Sequence, residues 1–287
     1  MVVSRSIFIA TLGSEPQVVT AALDLLMGKG EQINQVVVVH TTAPGTPVGA
    51  AVEALRQVAN AYPAPFDFQG ITSEGLPLAD VDSPAAGAAV FGALYSRIRG
   101  GKQMGLKVHL CIAGGRKTMA LFGMAAAQLL FDDGDQLWHL FSSGEFLASK
   151  RLHPAPGDDV ALVPIPVILW TRVSPAFDRL FQFEDPFAAL HEVEALQIKE
   201  KFDACRAFVL GSLTRSEERV VRLLVLHGLS DQAIGEQLCL SPRTVEQHLR
   251  SAYTKAGEHW ELDNLTRSNL ISLLNLYYSV EIRGKPA

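Results

Sequence analysis

Cysteine is scarce in this chain, whose 287 residues include only Cys111, Cys205 and Cys239. Three cysteines so widely separated provide neither a disulfide framework nor a thiolate cluster for zinc. We therefore expect all three to be packing residues. Histidines and carboxylates are not clustered either, so the sequence predicts no metal site and no cofactor.

Long apolar runs are also missing. The apolar runs that are present are short or are interrupted, for example by Gln128, Pro164 and Pro166. None of them reaches the length of a membrane-spanning helix. Residues 1–5 lack the basic stretch that, followed by an apolar segment, opens a signal peptide. With 48% hydrophobic and 19% charged residues, the sequence predicts a folded cytoplasmic protein without a membrane partner.

Positive charge is not in excess, because the formal net charge is -5. This argues against a protein that coats nucleic acid through bulk attraction. An anionic partner must instead meet locally placed arginines, lysines and helix N-termini.

Residues 6 to about 170 alternate apolar runs with helical patterns. Continuous valine, isoleucine and leucine runs between helices are what a parallel sheet covered on both faces requires. The sequence therefore predicts a doubly wound, Rossmann-like α/β domain over residues 1–171, with the proline-containing segment Val160–Trp170 as an edge strand. The predicted strands are Ile7–Thr11, Val36–Thr41, Val108–Ala113 and Gln136–Phe141, and the predicted helices are Pro16–Met27, Val48–Ala61, Pro84–Arg99 and Lys117–Phe131.

The rest of the chain has helical spacing. Residues 172–212 carry an apolar stripe typical of a connecting helical segment, and residues 213–287 are predicted to form an all-α domain. Within it, Thr214 and Glu217 match a capping box, and Ser241-Pro242 is a helix start. Two helices joined by a turn as short as Cys239-Leu240 form a DNA-reading helix-turn-helix unit.

This segment resembles the helix-turn-helix domain of the LuxR family of transcriptional regulators; it reads LTRSEERVVRLLVLHGLSDQAIGEQLCLSPRTVEQHLRSAYTKAG. The resemblance implies that the helix over Pro242–Ala256 lies in the major groove of double-stranded DNA, while Val245 and Leu249 face the core. Arg219 departs from the acid usual in that family, and the loop Glu258–Asn264 is longer than usual. The residues expected to contact bases or phosphates are Arg243, Thr244, Gln247, His248 and Arg250.

A helical bundle used only for dimerisation is the alternative for this domain. Residues 213–287 contain nine Lys/Arg and nine Asp/Glu residues, so the module is neutral. A neutral module has weak non-specific affinity for DNA.

Two loops that follow predicted strands carry residues suited to a phosphate group. In the loop from Thr11 to Gln17, Gly13 permits a tight turn and Ser14 offers an exposed hydroxyl. In the loop from Ala113 to Met119, two glycines allow close backbone approach, and an Arg-Lys pair stands at a helix start. Cations there oppose the helix dipole, and a bound anion would offset that cost.

The two common nucleotide-binding motifs are absent. A Walker motif ending at Lys117-Thr118 would need glycines where Cys111 and Arg116 stand, and no second glycine follows Gly13 at the dinucleotide spacing. The sequence therefore does not predict an ordinary NAD or NTP enzyme.

The segments ATLGSEPQVVTAALDLL, VVVVHTT and CIAGGRKTMALFGMAAAQLL resemble the CRISPR-associated Rossmann-fold sensor domains, most closely the subgroup with the ring nucleases of type III systems. The resemblance implies a homodimer that binds one cyclic oligoadenylate, above all cyclic tetra-adenylate. It also implies that a loop serine and a lysine, here Ser14 and Lys117, cleave the ring. The residues expected to contact the ligand are Thr11, Leu12, Gly13, Ser14, Gln17, Thr41, Thr42, Gly114, Gly115, Arg116, Lys117 and Thr118.

The chemistry of such a cleavage agrees with the residues. Attack of a ribose 2′-hydroxyl on the adjacent phosphate requires positioning and charge stabilisation rather than a metal. A non-catalytic regulator that only senses the ring, and a nucleotide-binding protein unrelated to CRISPR signalling, are the rival hypotheses. His40 is expected to be structural or solvated, His109 and His139 are expected to pack, and the polar tract Ser142–Glu145 is a further candidate for ligand contact.

Overall fold

The computed structural model describes residues 5–42, 45–169, 180 and 182–283. The chain divides into two compact units between Val193 and Glu194. The predicted boundary between residues 171 and 172 lies outside the described residues. None of the described helices is both long and apolar enough to cross a membrane.

Strands of the first unit form one six-stranded sheet and one short hairpin within the described residues. In the sheet the order is β3-β2-β1-β6-β7-β8, with only the pairing of β7 and β8 antiparallel among the described strands. The direction of winding reverses between β1 and β6, which confirms the doubly wound, Rossmann-like prediction. The strands are β1 (Ser6–Leu12), β2 (Ile33–His40), β3 (Phe66–Gly70), β4 (Thr72–Ser73), β5 (Leu76–Pro77), β6 (Lys107–Cys111), β7 (Gln136–Ser142) and β8 (Val160–Ile165).

Helices of the first unit cover both faces of this sheet. One face, which includes Phe8 and Val36, packs in a core with residues of the two helices that follow β1 and β2. On the other face, a Cβ added at Gly101 would come within 2.9 Å of Ile7 Cγ2, so the helix that precedes β6 lies directly on the sheet. The helices of this unit are α1 (Gln17–Gly28), α2 (Pro47–Ala59), α3 (Pro84–Gln103), α4 (Lys117–Leu130) and α5 (Gly144–Ser149). The next helix, α6 (Pro186–Gly211), begins in the first unit and ends in the second.

The central strands are apolar because both of their faces are covered. All seven residues of β1 are buried, and so are the four consecutive valines Val36–Val39 of β2. Such runs are typical of parallel strands between two helical layers. The edge position predicted for Val160–Trp170 is confirmed over Val160–Ile165, while Trp170 lies outside the described residues.

The second unit is all-α in its described residues. Thr214 accepts a hydrogen bond from the Glu217 N–H while the Glu217 carboxylate accepts one from the Thr214 N–H, so the predicted capping box is confirmed. Ser230 and Ser241 cap the next two helices, where each serine hydroxyl accepts a hydrogen bond from the first turn. The helices are α7 (Arg215–His227), α8 (Asp231–Leu238), α9 (Pro242–Trp260) and α10 (Arg267–Arg283).

Several local predictions were wrong or incomplete. Cys239 and His139 are exposed rather than packed, and Cys239 adopts a left-handed φ of 54° at the end of α8. The strand β3 and the hairpin were not predicted, because their residues are half-buried or exposed and form no continuous apolar run. In the polar tract Ser142–Glu145, Ser142 ends β7, Ser143 caps α5, and Gly144 and Glu145 are the first residues of α5.

Candidate functional site

The two glycine-containing loops lie side by side at the carboxyl ends of the central strands β1 and β6. β1 and β6 are neighbours, with Ala10 paired to Cys111, and the chain leaves their carboxyl ends in opposite directions toward β2 and β7. A crevice opens where the connections diverge in this way, and it is where open α/β sheets bind their ligands.

Three glycines let the two loops touch backbone to backbone. A Cβ on Gly13 would come within 2.9 Å of the Gly115 nitrogen, and one on Gly114 would overlap the Thr11 carbonyl oxygen. Gly115 has a φ of 81°, which side chains rarely allow. The Thr11 hydroxyl, which is buried, donates to the Gly114 carbonyl at 2.6 Å and ties the loops together. Larger side chains at these positions would force the loops apart.

A pocket of about 340 Å³ opens beside these loops. Its wall is formed by the loop after β1, the start of α2, the segment between β5 and α3, and the loop after β6. The lining residues are Leu12, Gly13, Ser14, Thr41, Thr46, Pro47, Val48, Ala79, Gly115, Arg116 and Met119.

The helices α1 and α4, which follow the two loops, begin without a side-chain cap. By contrast, the hydroxyls of Thr46, Ser83 and Ser143 accept hydrogen bonds from the first turns of α2, α3 and α5. The first amides of an uncapped helix retain hydrogen-bonding capacity and carry the positive end of the helix dipole. Of these two helix starts only that of α4 lines the pocket, through Arg116 and Met119, and this edge of the pocket therefore favours an anion.

Arg116 brings a full positive charge to this edge and pairs with Asp80. Its Nε lies 2.7 Å from Asp80 Oδ1, and its Nη2 binds Asp80 Oδ2. Hydrogen bonds from Arg116 and from the Val81 N–H hold the pKa of Asp80 below its ordinary value. The carboxylate thus stays ionised, and the guanidinium meets it in the forked geometry that arginine also uses for phosphate.

Ser14 and Lys117 are both exposed, but only Ser14 lines the pocket. Among the described residues, the Lys117 ammonium makes no hydrogen bond or ion pair. The neighbouring carboxylate of Glu15 lies 2.7 Å from Lys150 Nζ and 2.7 Å from Gln17 Nε2. The Glu15 carboxylate is therefore already paired with Lys150 and Gln17.

A second candidate site is the exposed face of α9 in the second unit. Val245 and Leu249 are buried, as predicted, which turns Arg243 and Gln247 toward solvent. Arg250 is exposed and lies 2.8 Å from Glu246 of the same helix.

The start of α9 is held by its cap and by the preceding turn. The Thr244 N–H and hydroxyl both bond to Ser241 Oγ, at 3.1 and 2.8 Å. At the turn, a Cβ on Gly235 would lie 2.6 Å from the Leu240 carbonyl oxygen, so α8 and this turn pack in direct backbone contact.

A buried carboxylate joins α7 to α9. Glu217 Oε1 accepts from the Ser251 hydroxyl at 2.7 Å, and its Oε2 lies 2.7 Å from Lys255 Nζ. Burial alone would raise the pKa of Glu217, but the hydrogen bonds from Lys255, Ser251 and Thr214 outweigh burial and lower it to about 2. An ionised and hydrogen-bonded carboxylate therefore links the start of α7 to α9.

Comparison with known proteins assigns both units. Residues 15–196, more than half of the chain, match the family described as CRISPR-associated protein NE0113. The chain belongs to the NE0113 family. In this NE0113-family chain, residues 211–259 also match the luxR family of bacterial regulatory proteins. It therefore joins a CRISPR-associated domain to a LuxR-type DNA-binding regulator domain, which confirms both resemblances at that level.

The curated relatives match only a short segment of this chain. Proteins described as HTH-type transcriptional regulators, from Mycobacterium bovis and Mycobacterium tuberculosis, are 53% identical over 47 residues. The match covers 16% of this NE0113-family chain and 5% of each relative's length.

The residues predicted to contact the ligand fall into three groups. Leu12, Gly13, Ser14, Thr41, Gly115 and Arg116 line the pocket. Thr11 and Gly114 lie behind it and hold the loops together. The remaining four, Gln17, Thr42, Lys117 and Thr118, do not line it.

Those four residues differ in how their side chains are engaged. The Gln17 amide is buried and donates to Glu15 and to the Leu147 carbonyl. The hydroxyls of Thr42 and Thr118 are buried and have no hydrogen-bond partner among the described residues. His40, also outside the pocket lining, is buried, and its Nδ1–H donates to the Thr41 carbonyl at 2.9 Å; burial lowers the pKa of His40.

Sequence reasoning missed several pocket residues of this NE0113-family protein. Thr46 and Pro47 carried a usable signal, because a threonine before a proline predicts a helix start near the β2 end. Ala79, which lines the pocket, and Asp80, which pairs with Arg116, carried no such sequence signal. Both lie in an irregular segment, and the hairpin formed by β4 and β5 decides what this segment contacts.

Proposed function

We propose that this chain is a receptor for a cyclic oligoadenylate, with cyclic tetra-adenylate as the first candidate, and that ring occupancy controls DNA binding by its LuxR-type domain. The observation that carries the proposal is the pocket at the winding reversal, where Ser14 of the loop after β1 and Arg116 at the uncapped start of α4 line the same wall. Membership of a CRISPR-associated family supports the choice of ligand class.

The size of the pocket supports a shared ligand. Pockets for whole drug-sized ligands run from about 300 to 1,000 Å³, so 340 Å³ in one chain lies at the small end. A ring of four nucleotides is larger than that. Two copies of this chain, each contributing one pocket, would suit a symmetric ring, so we propose a homodimer that binds one ring.

Metal-independent cleavage of the ring is the catalytic extension of this proposal. A ribose 2′-oxygen attacks the adjacent phosphorus, the bond to the 5′-oxygen breaks, and the proton passes from the 2′-oxygen to the leaving 5′-oxygen. The products carry 2′,3′-cyclic phosphate and 5′-hydroxyl ends. Ser14, which lines the pocket, would orient the phosphate or the nucleophile. Lys117, which has no partner among the described residues, would stabilise the developing charge.

A receptor that senses the ring without cleaving it is the second candidate. One observation favours it, because Lys117 is not among the residues that line the pocket. In this case Ser14 and Arg116 would bind the ring, and the only output would be through DNA.

The proposed output is recognition of double-stranded DNA by α9. Arg243, Gln247 and Arg250 are exposed on this helix, and arginine and glutamine are suited to reading base edges in the major groove. The helix start at Ser241-Pro242 places Arg243 in the first turn of α9, and helix-turn-helix proteins contact bases with the N-terminal residues of this helix. A cytoplasmic location belongs to the same proposal.

One experiment tests receptor and enzyme together. Purified full-length protein is titrated calorimetrically with cyclic tri-, tetra- and hexa-adenylate in EDTA, and the mixtures are then resolved by chromatography. We expect saturable binding of cyclic tetra-adenylate at one ring per two chains. Products with 2′,3′-cyclic phosphate ends support the nuclease, and an intact ring supports the non-catalytic receptor. Absence of binding to all three rings would contradict both.

A further inference from the structure

The segment between the hairpin and α3 is anchored at both of its ends. At one end, the Leu78 carbonyl accepts from the Thr42 N–H at 2.7 Å and the Leu78 N–H donates to the Ile71 carbonyl at 2.9 Å. At the other end, Ser83 caps α3. Between these anchors, Ala79 lines the pocket and Asp80 binds Arg116. A carboxylate is therefore held at the pocket rim by the fold.

The contact between Asp80 and Arg116 uses the donors that a phosphate would use. The Nε and Nη2 groups of Arg116 are both directed at the two oxygens of Asp80. Asp80 Oδ1 is also held by the Val81 N–H at 2.7 Å, so the carboxylate is oriented from its own backbone. This forked pairing matches the geometry of an arginine with a phosphate.

We propose that Asp80 is an internal anion that competes with a phosphate group of the ligand for Arg116. The proposal rests on the proposed function of the pocket as an anion receptor. A phosphodiester can replace the carboxylate at the guanidinium, whereas an uncharged nucleoside cannot. Asp80 thereby lowers the affinity for the ring and selects for ligands that deliver a phosphate to Arg116.

The expected effect is modest because the pair is exposed. The Arg116 side chain is 65% exposed and that of Asp80 is 41% exposed, so solvent screens their attraction. Removing a competitor of this strength raises the fraction of binding-competent pockets and tightens binding by about fivefold.

Asp80→Asn is the test variant and Asp82→Asn its matched control. Asparagine keeps an oxygen that can accept from the Val81 N–H, so the local backbone bond is retained. Asp82 lies two residues away in the same segment and makes no hydrogen bond or ion pair among the described residues. Both variants remove one negative charge, so a general effect of charge would appear equally in each.

The wild-type protein and both variants are titrated with cyclic tetra-adenylate at one fixed ionic strength. We expect Asp80→Asn to bind about fivefold more tightly than wild type and Asp82→Asn to stay within about twofold. Equal affinities in the two variants would overturn the proposal. Weaker binding by Asp80→Asn would also overturn it, because Asp80 would then position Arg116 for the ligand.

A second measurement keeps this inference separate from the choice of ligand. Modification of Arg116 by phenylglyoxal is followed by mass spectrometry, with inorganic pyrophosphate as the protecting anion. We expect a lower pyrophosphate concentration to protect Arg116 in Asp80→Asn than in Asp82→Asn. If no protein binds cyclic tetra-adenylate but this difference is seen, the proposed function fails and the competition stands. If the protecting concentrations are equal, the competition fails.

Discussion

At the scale of single residues, the start of α4 concentrates positive charge where the helix dipole already makes the potential positive. Arg116 and Lys117 stand at the start of α4, which has no side-chain cap. Such cations destabilise a helix start by a few tenths of a kcal/mol up to about 1 kcal/mol. Asp80 offsets this for Arg116, while Lys117 has no counter-charge among the described residues.

Lys117→Ala is expected to abolish ring cleavage and to weaken ring binding. In the proposed cleavage, Lys117 would stabilise the charge of the phosphorane-like transition state, and loss of one such group costs about 100- to 1,000-fold in rate. The measurement is single-turnover cleavage of cyclic tetra-adenylate in EDTA. Lys199→Ala, which removes an exposed lysine of α6, is the control and should cleave at the wild-type rate.

Ser14→Ala is expected to lower the cleavage rate more than it lowers ring affinity. Ser14 has an exposed hydroxyl at the pocket, where it can orient a reacting group without being essential for binding. Calorimetry and single-turnover rates on the same variant separate the two effects. A large loss of affinity with an unchanged rate at saturation would assign Ser14 to binding alone.

At the scale of secondary-structure elements, the carboxylate of Glu217 links α7 to α9. Its pKa of about 2 lies below the ordinary 4.5, so the folded state favours the ionised form. A carboxyl with a lowered pKa contributes stability that is present above pH 4.5 and is lost as the pH falls toward 2.

Glu217→Gln is expected to destabilise the second unit by about 2 kcal/mol at pH 7. The loss comes from the pairing with Lys255 and from the bond to Ser251. Hydrogen–deuterium exchange of α7 and α9 peptides in the full chain measures it, and the difference from wild type should shrink as the pH is lowered below about 4. Glu258→Gln, at an exposed position of α9, should change little. A difference that persists at low pH would contradict the ionised pairing.

We predict that the exposed face of α9 recognises a specific DNA site. Arg243→Ala and Gln247→Ala should each weaken binding to a specific site by about 1–3 kcal/mol, because each removes a contact to a base edge. Titration of the protein's own promoter region at one salt concentration measures this effect. Arg206→Ala removes an exposed arginine of α6 in the same unit and serves as the control. Unchanged affinity in all variants would leave the module as a dimerisation element.

At the scale of the whole molecule, the proposed function requires that ligand binding in one unit changes DNA binding in the other. A ring can change DNA affinity only if it binds the DNA-competent and DNA-incompetent arrangements unequally. Reciprocity then requires DNA to change ring affinity by the same factor. The coupling can therefore be measured from the effect of the ring on DNA affinity and from the effect of DNA on ring affinity.

We expect a non-cleavable ring to change DNA affinity by about 5- to 150-fold. The measurement is a DNA titration with and without the ring, and a ring titration with and without DNA. Arg116→Ala, which weakens the ring site without touching α9, should bind DNA like wild type but lose the response to the ring. Equal DNA affinities with and without the ring would reject the coupling.

Local patterns were sufficient for much of the fold. The valines at Val36–Val39 predicted a buried strand, and the caps at Thr214 and Ser241 predicted helix starts, all of which the structure confirms. Buried strands and capped starts depend on a few consecutive residues, so they are visible in the sequence. The two glycine loops were predicted as ligand-binding junctions because each follows a predicted strand, and open parallel sheets bind ligands beyond the carboxyl ends of their strands.

Only the tertiary structure decided which side chains meet. Asp80 and Arg116 are 36 residues apart, and no periodic pattern connects an irregular segment to a helix start. The same holds for Glu217 and Lys255, which are 38 residues apart. The sequence by itself determined the Rossmann-like sheet, the helix-turn-helix and the placement of cations at α4. Packing decided that Asp80 faces Arg116 and that Glu217 links α7 to α9, because such long-range contacts depend on how whole elements are arranged.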